Sequence, residues 1–554
     1  MILNNNTVPE NYSLYCPRRL MCLGLRGLRT VTVLVVLLGC VPDPLLAQKK
    51  AAAPARKLPS AEKVVDNYLK ASGGKKRIAA IRDAAYDWVI RLKDQTMGAA
   101  RTQMKAPGSV RTEMTFGNGQ IISSANMRSA WVHGLDGHLR TLTGAEANAA
   151  KLKSLLEATR LVDYKKLNIL ARVVSLNDLA ADPAYVVEFS TRNGARLRYW
   201  FSVNSKLLVR IEDEARRTIT SLADYRVAEP TSNVLEPHQV SLATDSSGEL
   251  SFVFQRVNYN TAIPDTAFDP PVAVESLDVA ALLREVGRNQ EVVEKRVSEY
   301  AFMQKETDRE ISGKGEIKKE ATKIYEVFPV ANRAPIMRLI SENGVALSAE
   351  RAAKESKRVE EEFLKVERDR DKNEQRVERR RAERQRRKHA KGEAEAGDDP
   401  ELSQFLKICE FVSPRRERFR DRNAVVFDFR PRPGFRPGNR EESLISKLVG
   451  VVWIDPIDKQ VMRLEARLAE SFKMAGGLLL SLRPGAGFVI EQTRMEEGVW
   501  LPRLAQVNLS VKVLLFGGGD VNRTLEWSDY KHFKGDVGEY TLEAPKAVEP
   551  EKKP

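Results

Sequence analysis

Residue types that carry chemistry are scarce in this chain. It holds four cysteines and five histidines among 554 residues. Three of the cysteines, Cys16, Cys22 and Cys40, stand near the start, which leaves Cys409 alone. A single cysteine closes no internal disulfide and makes no zinc site by itself, so Cys409 reads as a small buried apolar residue. None of His133, His138, His238, His389 and His532 falls in a His-Glu-x-x-His helix. Neither a nucleophile elbow nor a phosphate-binding P-loop occurs. His133 and His138 lie on a stretch that reads as strand and turn rather than as a ligand pair. The glycines at Gly476-Gly477, Gly485, Gly487 and Gly517-Gly518-Gly519 open no helix of a βαβ unit and read as turns and sheet bends. The expectation is a protein that is not an enzyme, with no catalytic residues, no metal and no cofactor.

Long apolar runs are missing too. The stretch from Val31 to Leu38 falls well short of the roughly 20 residues that a membrane-spanning helix needs. With Arg18, Arg19, Arg26 and Arg29 before it, the stretch reads as a secretory signal within residues 1–47. Two exits stay open. Leu37-Leu38-Gly39-Cys40 resembles a lipobox that would lipidate Cys40, while Leu45-Leu46-Ala47 offers an ordinary cleavage site after Ala47, the preferred reading. The chain is expected to be exported and either free or anchored through Cys40.

The formal net charge of +15 is concentrated locally: Arg376 to Lys391 carries nine Lys or Arg against two Glu. A local excess does not make the folded parts nucleic-acid binders, and none is expected. For an exported chain the fitting partner of this basic run is an acidic membrane surface or an envelope protein. The surrounding stretch, Glu350 to Lys391, lacks proline and glycine and reads as a long exposed charged helix. Its apolar anchors, Val359, Phe363, Val366 and Val377, are too few for a coiled-coil seam.

What the chain does have is a repeat of itself. Trp200-Phe201-Ser202-Val203-Asn204-Ser205-Lys206-Leu207-Leu208-Val209-Arg210-Ile211-Glu212 aligns without a gap onto Trp453-Ile454-Asp455-Pro456-Ile457-Asp458-Lys459-Gln460-Val461-Met462-Arg463-Leu464-Glu465. Each copy reads as strand, polar turn and strand, with one buried face. Gln460 to Leu468 should carry Met462, Leu464, Ala466 and Leu468 on a dry face and Arg463, Glu465 and Arg467 on a wet one. Leu207, Val209 and Ile211 form the equivalent dry stripe.

Each half also opens alike. Ser60 is an N-cap, Val64, Val65, Tyr68 and Leu69 have helical spacing, and Gly73-Gly74 supplies a left-handed stop before a short helix and a strand. Val279, Leu282, Leu283 and Val286 start the second half. A break is expected at Gly287-Arg288-Asn289, then a second helix with Val292, Val293 and Val297, and a strand from Tyr300. The predicted units are a leader at 48–58, domains at 59–272 and 277–545, a charged helical insertion at 349–397 and a tail at 546–554. The fold class is α+β, mainly antiparallel β. A sheet with one buried face needs a cover, and the few helices provide it.

These residues resemble a family. Tyr68-Leu69-Lys70-Ala71-Ser72-Gly73-Gly74-Lys75, Ala130-Trp131-Val132-His133-Gly134-Leu135-Asp136-Gly137, the Trp200 hairpin and Phe268-Asp269-Pro270-Pro271 are similar to LolA-type domains of outer-membrane lipoprotein-sorting proteins. So are Val452-Trp453-Ile454-Asp455, Gly498-Val499-Trp500-Leu501-Pro502 and Trp527-Ser528-Asp529-Tyr530-Lys531-His532-Phe533 in the second half. The resemblance implies two tandem unclosed β-barrels under helical lids, working in the periplasm of a Gram-negative cell. It implies that lipid or acylated lipoprotein is the ligand. An envelope-stress regulator resembling the RseB type is the alternative. Tandem domains and the charged insertion depart from the family pattern. The residues expected to face the apolar cavity are Leu197, Tyr199, Leu207, Val209 and Ile211 in the first copy and Val452, Met462, Leu464 and Leu468 in the second.

Overall fold

The computed structural model describes residues 58–93, 95–179, 182–244, 248–272, 278–297, 299–330, 334–368, 405–474, 480–496, 498–513 and 517–532. The expected signal region with Cys40, the basic run at 376–391, residues 273–276 between the two expected domains and the expected tail lie outside them.

The helices are α1 (Ala61–Ala71), α2 (Lys75–Ala80), α3 (Gly144–Ala158), α4 (Val279–Val297), α5 (Ala349–Arg368) and α6 (Arg440–Ile445). The first sheet holds β1 (Asp83–Leu92), β2 (Gln95–Lys105), β3 (Ser109–Phe116), β4 (Gly119–Ala125), β5 (Ala130–His133) and β6 (Leu139–Thr141). It continues with β7 (Leu170–Leu179), β8 (Asp182–Ser190), β9 (Arg196–Ser202), β10 (Leu208–Asp213), β11 (Thr218–Val227), β12 (Leu235–Thr244) and β13 (Gly248–Tyr259). The second sheet holds β14 (Tyr300–Ile311), β15 (Ile317–Phe328), β16 (Ile336–Glu342), β17 (Val345–Ala346), β18 (Cys409–Phe419), β19 (Arg422–Pro431) and β20 (Leu448–Asp455). Then follow β21 (Gln460–Leu468), β22 (Phe472–Met474), β23 (Leu480–Leu482), β24 (Gly487–Arg494), β25 (Trp500–Val513) and β26 (Gly517–His532).

Both sheets are antiparallel and unclosed, so the expected fold class holds. Their strand orders are β6-β5-β4-β3-β2-β1-β13-β12-β11-β10-β9-β8-β7 and β17-β16-β15-β14-β26-β25-β24-β21-β20-β19-β18. In each, the first strand pairs centrally with the last. The next strands fan out on one side and the penultimate ones on the other. Strands β5 and β6 are extra in the first sheet, as is the β22–β23 hairpin in the second.

The repeated hairpin is built on the same plan in both sheets. Ser202 Oγ accepts from the amides of Asn204 and Ser205 at 3.1 and 3.0 Å. Asp455 Oδ1, at the aligned position, accepts from Ile457 and Asp458, both at 2.8 Å. Lys206 and Lys459 take left-handed φ values of 64° and 50°. A bulge then displaces Val209 in β10 and Met462 in β21, again at aligned positions. One extra residue shifts the side-chain alternation. Leu208 and Ile211 are therefore buried, while Leu207 and Val209 are half-buried, correcting the expected stripe.

Local signals decide the helix ends. Ser60 Oγ accepts from Lys63 N at 3.2 Å. The Gly74 amide reaches Leu69 O at 2.8 Å and the Gly73 amide reaches Lys70 O at 3.4 Å, a left-handed cap with φ of 122° at Gly73. The break expected at Gly287 is absent: α4 runs unbroken from Val279 to Val297. A glycine in a helix costs only about 1 kcal/mol, and burial of Leu282, Leu283, Val286, Val293 and Val297 outweighs it.

Two further expectations are corrected. The described part of the charged helix, α5, is docked rather than free: Val359 is fully buried with Ala301, Phe328 and Ile336, and Arg358 donates to Met337 O. The wet face of β21 is not wet. Arg463 is buried, and Arg467 donates to Met127 O at 2.7 Å, because the first half of the chain packs on that face.

That packing is a buried polar joint. Arg415, with no exposed surface, binds Glu417 Oε1 at 2.7 Å and Asp428 Oδ1 at 3.1 Å and donates to Thr141 Oγ1 at 2.7 Å. Thr141 donates its amide and hydroxyl to Glu417, and Ser129 donates to Asp428 at 2.6 Å. Lys151 of α3 stands 3.6 Å from Glu465.

Candidate functional site

Among the described residues, helices cover the inner face of the first sheet at one end only. Val64, Val65 and Leu69 of α1 and Leu152, Leu155 and Leu156 of α3 pack on Phe189, Leu197, Tyr199, Phe201 and Ile211. Tyr86 belongs to that core. Moving along β1 on the same face come Trp88 and Ile90, since alternate residues of a strand share a face. Trp88 opposes Phe254 and Ala100, Ile90 opposes Phe252 and Gly98, and Ala100 opposes Met114 while Gly98 opposes Phe116. On the other side Val240 opposes Phe252 and Leu242 opposes Leu250. One apolar band thus crosses β12, β13, β1, β2 and β3.

Among the described residues, no helix residue joins this band. Ile90, Ala100 and Phe252 are buried within it, whereas Trp88, Met114, Phe116, Val240, Leu242 and Leu250 are only half-buried. Gly98 and Ala100 make a low floor between the taller side chains of β1 and β3. A Cβ on Gly98 would stand 2.0 Å from Thr115 O, so the floor cannot rise there.

A polar cluster marks the boundary between the open band and the helix-covered core. Tyr86 Oη and Tyr259 Oη donate to Glu236 Oε1 at 2.7 and 2.9 Å, and Arg160, just past α3, donates to Tyr86 Oη at 2.6 Å. Burial holds the Tyr86 phenol well above its ordinary pKa, so it stays a neutral donor.

The corresponding stretch of the second sheet is polar. On β14, Gln304, Glu306 and Asp308 follow Phe302 and oppose Trp527, Leu525 and Arg523 of β26. Arg523 grips Asp308 at 2.7 and 2.9 Å and stands 3.1 Å from Glu306. Burial pushes the Glu306 carboxyl up to about 7, with Arg523 opposing the shift.

The outer faces differ as well. On the first sheet a cleft of about 330 Å³ is lined by residues including Ser175, Asn177, Glu188, Arg198, Trp200 and Glu212. A second cleft, of about 240 Å³, lies among Arg420, Arg422, Met462, Arg494 and Trp500. Its arginines are held by acids: Arg422 and Arg494 bind Asp458, and Arg420 binds Glu491.

Of the residues expected to line a cavity, Leu197, Tyr199 and Ile211 are buried beneath α1 and α3. Val452 and Leu464 pack under Leu282, Leu283 and Val286 of α4. Met462 joins Trp453 and Trp500, while Leu468 sits apart with Phe472 and Leu482. Of the first-copy residues Leu197, Tyr199 and Ile211 come together as core while Leu207 and Val209 stay half-buried, and those of the second copy are distributed over three clusters. Sequence reasoning missed Trp88, Met114, Phe116, Leu242 and Phe252. The available signal was alternation: Tyr86-x-Trp88-x-Ile90, Met114-x-Phe116 and Leu250-x-Phe252-x-Phe254.

Cys409 is buried at the start of β18, and burial pushes its thiol up to about 12. His133 lies in β5, ahead of the turn that carries His138, as expected. Among the described residues, no three metal-ligating side chains converge. No helix among them is long and apolar enough to cross a membrane.

No known family and no curated protein matches this chain. Among solved structures it is similar to a LolA superfamily protein from Nitrosomonas europaea, at 12% identity and a TM-score of 0.27, over 38% of this chain and 98% of that one. It is similar to a DUF1329 family protein from Desulfovibrio piger, at 12% identity and a TM-score of 0.26, over 38% of this chain and 96% of that one. It is also similar to the MucA/MucB complex structure of Pseudomonas aeruginosa, at 8% identity and a TM-score of 0.16, over 84% of this chain and 94% of that one.

Proposed function

We propose that this chain is an exported, non-enzymatic binding protein of two tandem LolA-like domains, 59–272 and 277–545, that holds the acyl chain of a lipid or lipoprotein on the open band of its first sheet. The observation that carries the reading is the apolar band itself, half-covered and continuous with the helix-covered core. Each methylene that displaces water from it contributes ~0.8 kcal/mol. A band of aliphatic and aromatic side chains supplies that without polar recognition. The recurring strand order supports the tandem division. The second domain, with Glu306, Asp308 and Arg523 on the equivalent stretch, is assigned no acyl chain, because bringing hydrocarbon there would desolvate charges.

The test is equilibrium binding of a fluorescent palmitate to the full-length mature chain, with native mass spectrometry of protein from the periplasm. Phe116→Glu, at the half-buried rim, should weaken binding at least tenfold with unchanged circular dichroism. Saturable binding that ignores Phe116→Glu would sink the band as the site. A stoichiometric inner-membrane protein in place of lipid would favour the regulator reading.

A further inference from the structure

The two outer faces around the repeated hairpin have the same plan. In the second sheet Arg415, Val426, Trp453 and Arg463 stand in one cross-strand row, with Asp428, Val451 and Glu465 in the next. In the first sheet Ser175, Val186, Trp200 and Arg210 make the first row, and Arg172, Glu188, Arg198 and Glu212 the second. The aligned Trp–Arg pairs are stacked alike, with guanidinium-to-ring distances of 5.1 Å for Arg210 on Trp200 and 5.9 Å for Arg463 on Trp453. Each arginine Nε also reaches the aligned glutamate, at 3.0 Å in the first copy and 2.8 Å in the second.

Their environments differ, although Arg172 at the edge of the first face donates to Glu316 Oε1 of the second half at 3.0 Å. The second face is covered by the first half of the chain, which presents the Ser129 and Thr141 hydroxyls and the Lys151 ammonium to its carboxylates, and the Met127 carbonyl to Arg467. On the first face the same plan lines the 330 Å³ cleft, and Trp200 Nε1 is buried with no hydrogen-bond partner. A buried donor left in that state is destabilising, and an incoming acceptor would recover the loss.

We propose that this first outer face is a docking surface for a partner protein segment presenting a lysine or arginine beside a serine or threonine. The covered copy on the second sheet defines the chemistry. A cation meets Glu212 as Lys151 meets Glu465, a hydroxyl meets Glu188 as Ser129 meets Asp428, and a backbone carbonyl takes the Trp200 N–H. A second copy of this chain is not the occupant, since its own 126–151 surface is already seated on its second sheet. The surface is independent of the acyl band, which lies on the inner face.

The test is panning of a phage-displayed random peptide library against the full-length mature chain, with Asn177→Trp, an exposed residue at the cleft, as counter-target. Expected are enriched peptides that combine Lys or Arg with Ser or Thr and lose at least tenfold in affinity on Asn177→Trp. Asn177→Lys, which adds a cation without filling the cleft, should weaken them in the same direction. Overturning results are no enrichment, peptides indifferent to both variants, an apolar consensus, or a concentration-dependent dimer in sedimentation that Asn177→Trp abolishes. Palmitate binding is unaffected in every case, so this proposal and the acyl reading fail separately.

Discussion

The two halves of this chain carry one strand order and two different chemistries. In the first, β1 continues past the helices as Trp88 and Ile90; in the second, β14 continues as Gln304, Glu306 and Asp308. On the outer faces the contrast reverses its sense. The second sheet buries its Trp–Arg–Glu plan under the first half, while the first leaves the same plan lining an open cleft. Strand order is set by backbone pairing and turns, which both copies keep. The faces are free to diverge, because changing alternate side chains leaves the ladder intact.

The contrast can be broken most severely at the joint. Arg415→Ala would leave the buried carboxylate of Glu417 without its cation and Asp428 with Arg128 alone, 3.5 Å away, at an expected cost of about 3–5 kcal/mol. Urea unfolding should drop in midpoint and split into two transitions; an unchanged single transition would show that the joint contributes little. Within the first sheet, Ile90→Ala removes a fully buried side chain and should cost about 2–5 kcal/mol. Cys409 offers a reporter for the other half. Native thiol labelling should be undetectable, and its onset with urea should not move in Ile90→Ala if the second sheet unfolds separately.

The polar stretch of the second sheet predicts a pH dependence centred on Glu306. Glu306 is raised by burial to about 7 from 4.5, so it holds its proton more tightly in the folded chain. Stability from this group is therefore greatest below pH 4.5 and is lost as pH rises to about 7. Glu306→Gln should reduce the fall in urea midpoint between pH 5 and pH 8, and an identical fall would remove Glu306 as its source. The smallest effect is at the first helix. Ser60→Ala loses the cap on Lys63 N and should lower stability by about 1 kcal/mol, read as a small shift in thermal midpoint.

Much of the architecture was legible because it rests on local rules. The Ser60 cap, the Gly73-Gly74 stop and the hairpins all depend on residues within a turn or two of each other. The Gly287 break failed because tertiary burial of five apolar residues on α4 overrode a local cost. The stripe in β10 failed because a bulge at Val209 shifts the alternation by one, and no residue type marks a bulge reliably. Leu197, Tyr199 and Ile211, expected to face a cavity, are core for a different reason: alternation identifies a buried face but not how far a helix reaches along it. Leu197 and Ile90 look equally apolar in sequence, yet only Leu197 lies beneath α1 and α3.

Composition and periodicity by themselves determined a chain of mainly antiparallel strands, poor in histidine and cysteine and covered by few helices. Those properties follow from propensities, turn chemistry and hydrophobic spacing, all of which act over short distances. Only the tertiary structure decided which faces are open. Whether Trp88 and Trp200 are left half-buried while Trp453 is enclosed depends on segments hundreds of residues away, and the burial that distinguishes them exists only once those segments have packed.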